Sequence, residues 1–582
     1  MRIRKQSDGI SVHAVSGTYV VTLGMNATTA EARNGLLGFA IRRIDKTENQ
    51  QYWMRGMRTF ASVYPNPPAG ALVSSHEHPI QDFLWSDFTA KAAHEYVYEV
   101  HPVRGEPKNP DYGTPVIVPV STEQERDGNH EVWFNRGVIG SQAYAREFGN
   151  KDPQKLKGRE RERAYEWLSR GLFEAMRDFV RRAKTKKFGI RAAVYEFSYE
   201  PIIAEFRDAR KRCGDVQIIY DARIKKSHGK PDKQASGRVA LTRRLLKKYG
   251  LGSESIARAR RATPNAIAHN KFIVLLENGK PTAVWTGSTN FTESGIFGQA
   301  NVGHAVEDDG VAKSYLDYWK RLYADPEVPS LRKLNCEAGA DLKDFPPPRG
   351  ITPIFSPRLK DSQKRTILNW YASSAMSGAK NLMCFTAAFG VNELFMLVLE
   401  RNWAPTDDLR YLFLNKWGLN PGTSDVTQER LKKNRYNVVA VGGYLVGDVL
   451  HEYLMDRWRK ERSNTLSKNV RYTHTKYMLV DPLGEDPIVI SGSANFSNAS
   501  TISNDENMLI IRGDKRVADI YLGEFMRLWQ HYRFRSIVDD HADEPTGHRN
   551  DYTPKYLSED DSWTEGFFRK GYMRCKRREV FC

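Results

Sequence analysis

The sequence contains one segment twice. "HNKFIVLLENGKPTAVWTGSTNF" runs from His269 to Phe291, and "HTKYMLVDPLGEDPIVISGSANF" runs from His474 to Phe496. Each copy has His-x-Lys, an apolar run, a turn, a second apolar run and Gly-Ser-x-Asn-Phe. A chain of 582 residues is too long for one ordinary hydrophobic core. The repeat therefore predicts two equivalent domains that each carry one motif.

The segments around the two motifs also correspond. "ERAYEWLSRGLFEAMRDFVRRA" predicts a helix, "FGIRAAVYEFSY" a strand, "PIIAEFRDARKR" a helix and "DVQIIYDARI" a strand. In the second half the same order is predicted by "SQKRTILNWYASSA", "NLMCFTAAFG", "VNELFMLVLERN" and "LRYLFLNKW", and a helix ("SYLDYWKRLY", "IYLGEFMRLW") follows each motif. We expect an α/β fold with a first lobe over 149–340 and a second lobe over 341–540.

The beginning and the end of the chain differ from these lobes. Short segments rich in Val, Tyr, Ile and Phe, such as "GTYVVTL", "LGFAIRRID", "EYVYEVHPV", "PVIVPVST" and "HEVWFN", predict strands. We expect an N-terminal β-sandwich-like domain over 1–148. Residues 541–582 are interpreted as a polar C-terminal tail.

The positive charge is concentrated in one part of the chain. Of the net charge of +18, residues 151–350 carry +15, with dense runs at "RRAKTKK", "RIKKSHGKPDK", "RRLLKK" and "RARR". Clustered Lys and Arg attract polyanions, so nucleic acid is the predicted partner and an anionic phospholipid surface is the alternative. Each run taken alone is also compatible with a solvated helix face or loop.

The cysteine count and the distribution of apolar residues argue against several classes of protein. The five cysteines have no C-x-x-C spacing, which argues against a disulfide framework or a zinc ribbon and favours a reducing compartment. No run of eighteen apolar residues predicts a transmembrane helix, and the first residues lack an apolar signal core. We therefore expect a cytoplasmic protein without a cofactor or a metal, and the oligomeric state is left open.

The repeated motif points to phosphodiester chemistry. His and Lys at i and i+2 of a strand project from one face, which places an imidazole beside a cation. Gly287 and Gly492 would allow a close backbone approach to a ligand. Two copies together would supply two histidines for attack and proton transfer, and two lysines and two asparagines to hold the non-bridging oxygens. These residues are His269, Lys271, Asn290, His474, Lys476 and Asn495.

His474-x-Lys476, followed by Asp481 and "GSANFS", resembles the HKD signature of the phospholipase D superfamily, and "HNK" with "GSTNF" resembles its degenerate partner. The resemblance implies two related lobes and a metal-independent reaction through a phosphohistidine. It favours His269 as the nucleophile and leaves His474 as the acid and base. It also implies that Glu506 is the carboxylate that orients a catalytic imidazole, here expected to be His474.

The first motif departs from the family pattern. Leu276 stands where the motif Asp is expected, and Asn301 stands where Glu506 has its counterpart. This asymmetry is similar to that of tyrosyl-DNA phosphodiesterases, and it leaves open which group orients His269. Asp481 is interpreted as a structural residue of its strand.

Other residues are assigned to substrate binding. They are Ser288 and Ser493, which also fit a role in shaping the turn, and the basic Arg258, Arg260 and Arg261.

A nuclease acting on DNA or RNA is the favoured function, because of the basic first lobe and aromatic residues such as Tyr195 near it. A phospholipase D is the alternative, with Trp285, Trp319, Trp403 and Trp417 as candidate residues of an interfacial mouth. A polyanion-binding module without turnover is the third hypothesis, and the intact His and Lys pairs argue against it.

Overall fold

The computed structural model describes residues 1–137, 140–223, 226–227, 230–231, 233–262, 266–340, 342–359, 366–401, 408–415, 424–442, 458–461, 466, 472–540 and 555–582. Among the helices in these ranges, none is both long and apolar enough to cross a membrane.

Two antiparallel sheets form the N-terminal part of the chain. One has the strand order β1-β2-β3-β8, and the other has the order β10-β9-β4-β5 with β11 also paired to β9. Residues from both, such as Leu23 and Tyr98, share one buried cluster, so the two sheets have a common core. The elements are β1 Arg2–Ser7, β2 Ile10–Ser16, β3 Val21–Ala27, α1 Ala30–Arg33, β4 Gly38–Asp45, β5 Gln50–Trp53, β6 Arg55–Gly56, β7 Val73–Ser74, β8 Leu84–Asp87, β9 Glu95–Glu106, β10 Asn109–Tyr112 and β11 Val116–Ser121.

The first lobe is built on an eight-stranded sheet with the order β12-β13-β21-β20-β19-β14-β15-β18. Strand β19 is buried at all but its last residue, as expected for a central strand covered by helices on both faces. The strands are β12 Arg126–Asp127, β13 His130–Phe134, β14 Phe188–Val194, β15 Asp215–Asp221, β16 Lys226–Ser227, β17 Lys230–Pro231, β18 Ala257–Arg260, β19 Lys271–Glu277, β20 Lys280–Gly287 and β21 Val302–Val306. The helices are α2 Gln142–Phe148, α3 Gly158–Ser169, α4 Leu172–Arg181, α5 Glu200–Cys213, α6 Lys233–Lys248, α7 Asp309–Tyr323 and α8 Val328–Ala338, with a 3-10 turn at Pro153–Lys155 and a π-helical turn at Ser294–Gly298.

The second lobe is built on a seven-stranded sheet with the order β22-β28-β27-β26-β23-β24-β25. Its strands are β22 Gly350–Ser356, β23 Leu382–Ala387, β24 Leu409–Leu414, β25 Asn437–Val441, β26 Tyr477–Val480, β27 Ile488–Gly492 and β28 Glu506–Arg512. Its helices are α9 Ile367–Asn369, α10 Glu393–Glu400, α11 Ser424–Lys432, α12 Asn498–Ile502 and α13 Lys515–Asp540, with a π-helical segment at Trp370–Met376 after α9.

The two sheets have the same plan. Read from β13 and from β22, the strand orders correspond one to one, and in each sheet the last three strands are parallel while the others are antiparallel. Helices α7 and α13 contribute to one large buried cluster that contains residues from both sheets. The predicted pair of equivalent α/β lobes is therefore present, joined by a common core.

Strand β13 belongs to the first lobe and not, as the sequence predicts, to the N-terminal domain. "HEVWFN" was assigned to the N-terminal domain, but His130–Phe134 pairs along its full length with β21 of the first lobe. This position is the counterpart of β22 in the second lobe. The boundary at residue 148 therefore cuts through the sheet of the first lobe.

One predicted helix is two helices. The segment from Glu162 to Ala183 ends its first helix at Ser169 and begins the next at Leu172. Arg170 and Gly171 both have positive φ, and a Cβ at Gly171 would lie 2.4 Å from the ring of Trp133. Packing against that ring is the reason for the break, which helical periodicity alone does not show.

The end of the chain is not an exposed tail. Residues 555–582 fold onto the N-terminal sheets through a 3-10 turn at Asp561–Thr564, α14 Glu565–Phe568 and α15 Met573–Phe581. Phe567 lies in the core of these sheets, and the Phe581 carbonyl is 2.9 Å from His13 Nδ1. The interpretation as a polar tail is wrong for this segment because its apolar side chains recur within short helices that fill the N-terminal core.

Candidate active site

The two motifs meet where the lobes exchange backbone hydrogen bonds. His269 N donates to Asp505 O at 2.9 Å, and His474 N donates to Ala300 O at 3.0 Å. The segment before each motif histidine thus runs beside the residues just before the strand that follows the other motif. This reciprocal pairing brings both histidines to one place between the lobes.

Glu506 contacts His269. His269 Nδ1 lies 2.9 Å from both carboxylate oxygens of Glu506, and Ser493 Oγ donates to Oε2 at 2.6 Å. The prediction that Glu506 orients His474 is wrong. The exchange of backbone bonds between the lobes carries the carboxylate of the second motif to the histidine of the first.

His474 is held by neutral acceptors. Its Nδ1 lies 3.1 Å from Ser288 O and 3.1 Å from Asn301 Oδ1. Asn301 is fixed in turn, because Nδ2 donates to Gly295 O at 2.7 Å. Asn301 therefore occupies toward His474 the place that Glu506 occupies toward His269.

These contacts fix the tautomers of both rings. A carboxylate or carbonyl oxygen accepts, so each Nδ1 carries a proton and each Nε2 keeps its lone pair when the ring is neutral. The ring centroids of His269 and His474 are 6.4 Å apart. The two free nitrogens belong to rings that face one small space.

Burial dominates the electrostatics of the site. It lowers the pKa of His269 and that of His474 well below their ordinary value, and the ammonium groups of Lys271 and Lys476 lower both pKa values further. It also raises the pKa of Glu506 to about 8. The opposite shifts of the His269 and Glu506 pKa values disfavour a separated imidazolium–carboxylate pair in this site.

The lysines and asparagines line the same space. Lys271 Nζ donates to His269 O, and Lys476 Nζ donates to His474 O. Burial lowers the pKa of Lys271 to about 8. Asn290 Nδ2 donates to Glu196 Oε2 at 2.9 Å. These four side chains supply donors for an anionic group beside the histidines.

The two motif serines face the protein and not a ligand. Ser288 Oγ donates to Asn301 Oδ1 at 2.7 Å and accepts from Val302 N, and Ser493 makes the equivalent bonds to Glu506 and Asn507. Both serines are fully buried. Their assignment to substrate binding is wrong, since they position the groups that hold the histidines.

The motif glycines allow strands to approach each other. A Cβ at Gly287 would lie 2.3 Å from Val302 O, and one at Gly492 would lie 2.3 Å from Asn507 O. The close approach is to a neighbouring strand rather than to a ligand. Asp481 accepts from the backbone N–H groups of Lys380, Asn381 and Leu382, and so anchors the start of β23.

The basic cluster at the end of β18 has a different role from the one predicted. The Arg260 side chain is 0% exposed and forms ion pairs with Asp505 at 2.9 Å and Asp325 at 2.6 Å, so substrate contact is excluded for it. Arg258 lies over the ring of Tyr323, and the exposed Arg261 pairs with Glu254 at 3.0 Å. Arg260 instead ties β18 to the residue that precedes Glu506.

Four residues that the motifs did not indicate surround His269. The ring of Tyr195 lies 4.8 Å from that of His269, and Glu196 holds Asn290. Asp221 accepts from Ala268 N at 3.2 Å and from Arg238 at 2.5 Å. Tyr195 and Glu196 follow β14 and Asp221 ends β15, so the rule that sites form at the carboxyl ends of parallel strands would have found them. In the described part of the chain no cluster of three or more His, Cys, Asp or Glu side chains could hold a metal ion.

Comparison with known proteins agrees with this geometry. A family model described as "Cardiolipin synthase, PLD-like domain" matches residues 178–323 and 445–529. No curated protein sequence matches the chain.

Solved structures give weaker similarities. Phosphatidylserine synthase of Haemophilus influenzae is 13% identical with a TM-score of 0.43, covering 64% of this chain and 91% of that one. Yeast tyrosyl-DNA phosphodiesterase is 12% identical with a TM-score of 0.31, covering 56% and 83%. Polyphosphate kinase of Porphyromonas gingivalis is 13% identical with a TM-score of 0.35, covering 58% of this chain and less than half, 46%, of that one. The family match and the duplicated motif agree in pointing to the phospholipase D superfamily and to a phosphodiesterase-like function.

Proposed function

We propose that the protein is a metal-independent nuclease that hydrolyses phosphodiesters of DNA or RNA through a phosphohistidine on His269. The observation that supports His269 as the nucleophile is that the two catalytic histidines have different neighbours. His269 faces the carboxylate of Glu506, whereas His474 faces the amide of Asn301. A carboxylate stabilises the positive charge that an imidazole acquires when it forms a bond to phosphorus, and an amide does so less.

In the first step His269 Nε2 donates its lone pair to phosphorus, and the bond between phosphorus and the leaving oxygen breaks. His474 enters this step as the imidazolium, whose charge the phosphodiester anion stabilises, and the leaving oxygen takes its Nε2 proton and departs as an alcohol. Lys271 and Lys476 balance the charge on the non-bridging oxygens.

In the second step His474 Nε2 takes a proton from water, and the water oxygen attacks phosphorus. The bond between phosphorus and His269 breaks, and its electron pair returns to Nε2. The products are a phosphomonoester and an alcohol. Both steps use only side chains of this chain and water.

The choice of nucleic acid rests on charge near the site. Helix α6 presents exposed Arg243, Arg244, Lys247 and Lys248, and its Arg238 lies against Tyr195 beside His269. The run "RIKKSHGKPDK" begins at Arg223, just after β15 at the same sheet edge as the site, and part of the run lies outside the described residues. The run at 181–187 precedes β14 and lies at the opposite edge, so it is separated from the site by the length of that strand.

Phospholipase D activity is the second candidate, and the description of the matching family model favours it. The tryptophans proposed for an interfacial mouth do not add to this case. Trp285 and Trp319 are buried in the first lobe, at 1% and 4% exposure. Trp403 and Trp417 lie outside the described residues.

The test compares the wild type and His269→Ala in excess EDTA on single-stranded DNA, duplex DNA, RNA and phosphatidylcholine or anionic vesicles. We expect cleavage of nucleic acid that persists in EDTA and is absent from the variant. Headgroup release from vesicles with intact nucleic acid would assign the site to phospholipids instead. A His474→Ala variant incubated with bis(p-nitrophenyl) phosphate should accumulate the adduct, since nitrophenolate needs little help from an acid. Mass spectrometry of the peptide that contains His269 would then locate the bonded phosphorus.

A further inference from the structure

The two sides of the site differ at one pair of equivalent positions. In the first lobe Val194 pairs with Lys271, the motif lysine. In the second lobe Phe385 pairs with Met478, so the antiparallel register places Ala387 opposite Lys476. The helices that follow begin six residues later in both lobes, at Glu200 and Glu393. Glu196 in the first lobe therefore corresponds to Phe389 in the second.

In the first lobe this position is polar and tied to the catalytic groups. Tyr195 N donates to Asn270 O at 2.9 Å, beside His269. Glu196 accepts from Asn290, and burial raises the pKa of the Glu196 carboxyl. The wall of the site next to His269 is thus a carboxylate held in place by the motif asparagine.

In the second lobe the same position is an exposed aromatic ring. Ala388 is buried at the end of β23, and Phe389, the next residue, is 43% exposed. Asn415 N donates to Ala387 O at 3.1 Å, while Asn415 Oδ1 accepts from the N–H groups of Tyr472 and Thr473 just before His474. These bonds fix the end of β23 next to the segment that delivers His474. The position that carries a carboxylate beside His269 in the first lobe therefore carries an exposed aromatic ring in the second lobe, next to the segment that delivers His474.

The amide of Asn495 reflects the same difference. Its counterpart Asn290 donates to Glu196, but a phenyl ring at position 389 accepts no such bond. Within the described residues Asn495 Nδ2 has no hydrogen bond corresponding to the one from Asn290 Nδ2, whereas Oδ1 is without a partner in both asparagines. The second lobe thus lacks the polar partner that completes the first.

We infer that Phe389 is the stacking platform for the nucleobase of the leaving nucleotide. This inference rests on the nuclease reaction proposed above. In an in-line displacement the leaving group departs on the side away from the nucleophile, so attack by His269 directs it toward His474 and the second lobe. An exposed ring at that wall stacks a base of any identity, because every base has a π-face. A carboxylate at Glu196 offers no such surface, so the base-stacking subsite belongs to the second lobe alone.

The experiment uses the full-length protein and three dinucleotide substrates, namely dithymidine monophosphate and two abasic derivatives of it. One has both bases, one is abasic on its 5′ side and one is abasic on its 3′ side. After cleavage one product nucleoside carries the phosphate, and the nucleoside without it was the leaving group. Identifying the two products therefore shows on which side the leaving residue lay in each substrate. Phe389→Ala should lower kcat/KM about 5- to 150-fold when the leaving residue has its base, the equivalent of about 1–3 kcal/mol per stacked base. It should leave kcat/KM unchanged when the leaving residue is abasic, and Phe389→Tyr should retain activity on all three substrates.

Leu397→Ala is the matched control, because Leu397 is a 45% exposed apolar residue of the same lobe, on α10. It should not discriminate between the substrates. Equal losses for Phe389→Ala on base-bearing and abasic substrates, or no loss on either, would overturn the inference. A loss confined to phospholipid vesicles would assign the ring to an acyl chain and overturn it as well. Failure of the wild type to cleave any dinucleotide would instead refute the nuclease reaction itself, so the two failures are distinguishable.

Discussion

Replacement of Glu506 by glutamine isolates the charge of the residue that faces His269. Glutamine keeps an oxygen that can accept from His269 Nδ1, so the tautomer that leaves Nε2 free is retained. What is lost is the negative charge opposite the imidazole at the moment it bonds to phosphorus. The substitution therefore tests whether Glu506 acts on the attacking histidine.

The expected size follows from the contacts. Glu506 is fully buried and lies 2.9 Å from His269 through both oxygens. A hydrogen bond to a charged group is worth about 1.5–3 kcal/mol. At about 1.36 kcal/mol for each factor of ten, attack on phosphorus should slow by about 10- to 150-fold.

The assay measures attack alone. In a His474→Ala background, bis(p-nitrophenyl) phosphate should give a burst of one nitrophenol per enzyme, since the second step lacks its base. Glu506→Gln added to this background should slow the burst by the stated factor without changing its amplitude. Thermal unfolding of each variant controls for loss of fold. An unchanged burst rate, or an adduct found on His474 in variants that retain it, would refute the reasoning.

Further predictions concern ionisation, buried charge, packing and salt. The pKa values of Glu506 and Lys271 both lie at about 8, and as the pH rises Glu506 gains its carboxylate while Lys271 loses its ammonium. The profile of kcat/KM should therefore be bell-shaped with its maximum near pH 8, and a flat profile to pH 10 would contradict this. Arg260→Ala leaves the buried carboxylate of Asp505 without its partner and should cost about 3–5 kcal/mol of unfolding free energy, whereas the exposed Arg261→Ala should change it by less than about 0.5 kcal/mol in urea titrations. Phe567→Ala should lower the unfolding free energy by about 3–5 kcal/mol in the same assay, while an exposed tail would predict no change. Affinity for DNA should fall by about three to five decades from about 50 to about 200 mM salt if six to ten phosphates are neutralised, and filter binding that shows a flat salt response would count against the polyanion assignment.

The catalytic groups could be predicted from the sequence because they depend on residue types at fixed spacing within each motif. The two motifs predict the paired histidines, lysines and asparagines, and the repeated order of helices and strands predicts two equivalent α/β lobes. The resemblance to the phospholipase D superfamily also rests on these residues, and the family model matches the regions that contain them. None of this depends on knowing which parts of the chain touch.

Pairing between distant segments was decided only by tertiary structure. Glu506 lies 32 residues after His474 and 237 after His269, so proximity in sequence favours the wrong histidine. Hydrogen bonds between the lobes, such as that from His269 N to Asp505 O, place the carboxylate across the interface instead.

The same reason explains the other differences. Strand β13 pairs with a strand about 170 residues away, and residues 555–582 complete a core near the beginning of the chain. The sequence alone predicts an exposed cation at Arg260, because its two carboxylate partners, Asp325 and Asp505, are distant in the chain. Residue pattern determined which groups this protein has for its chemistry. Only the fold decided which groups meet, because burial and strand pairing depend on contacts that no local spacing encodes.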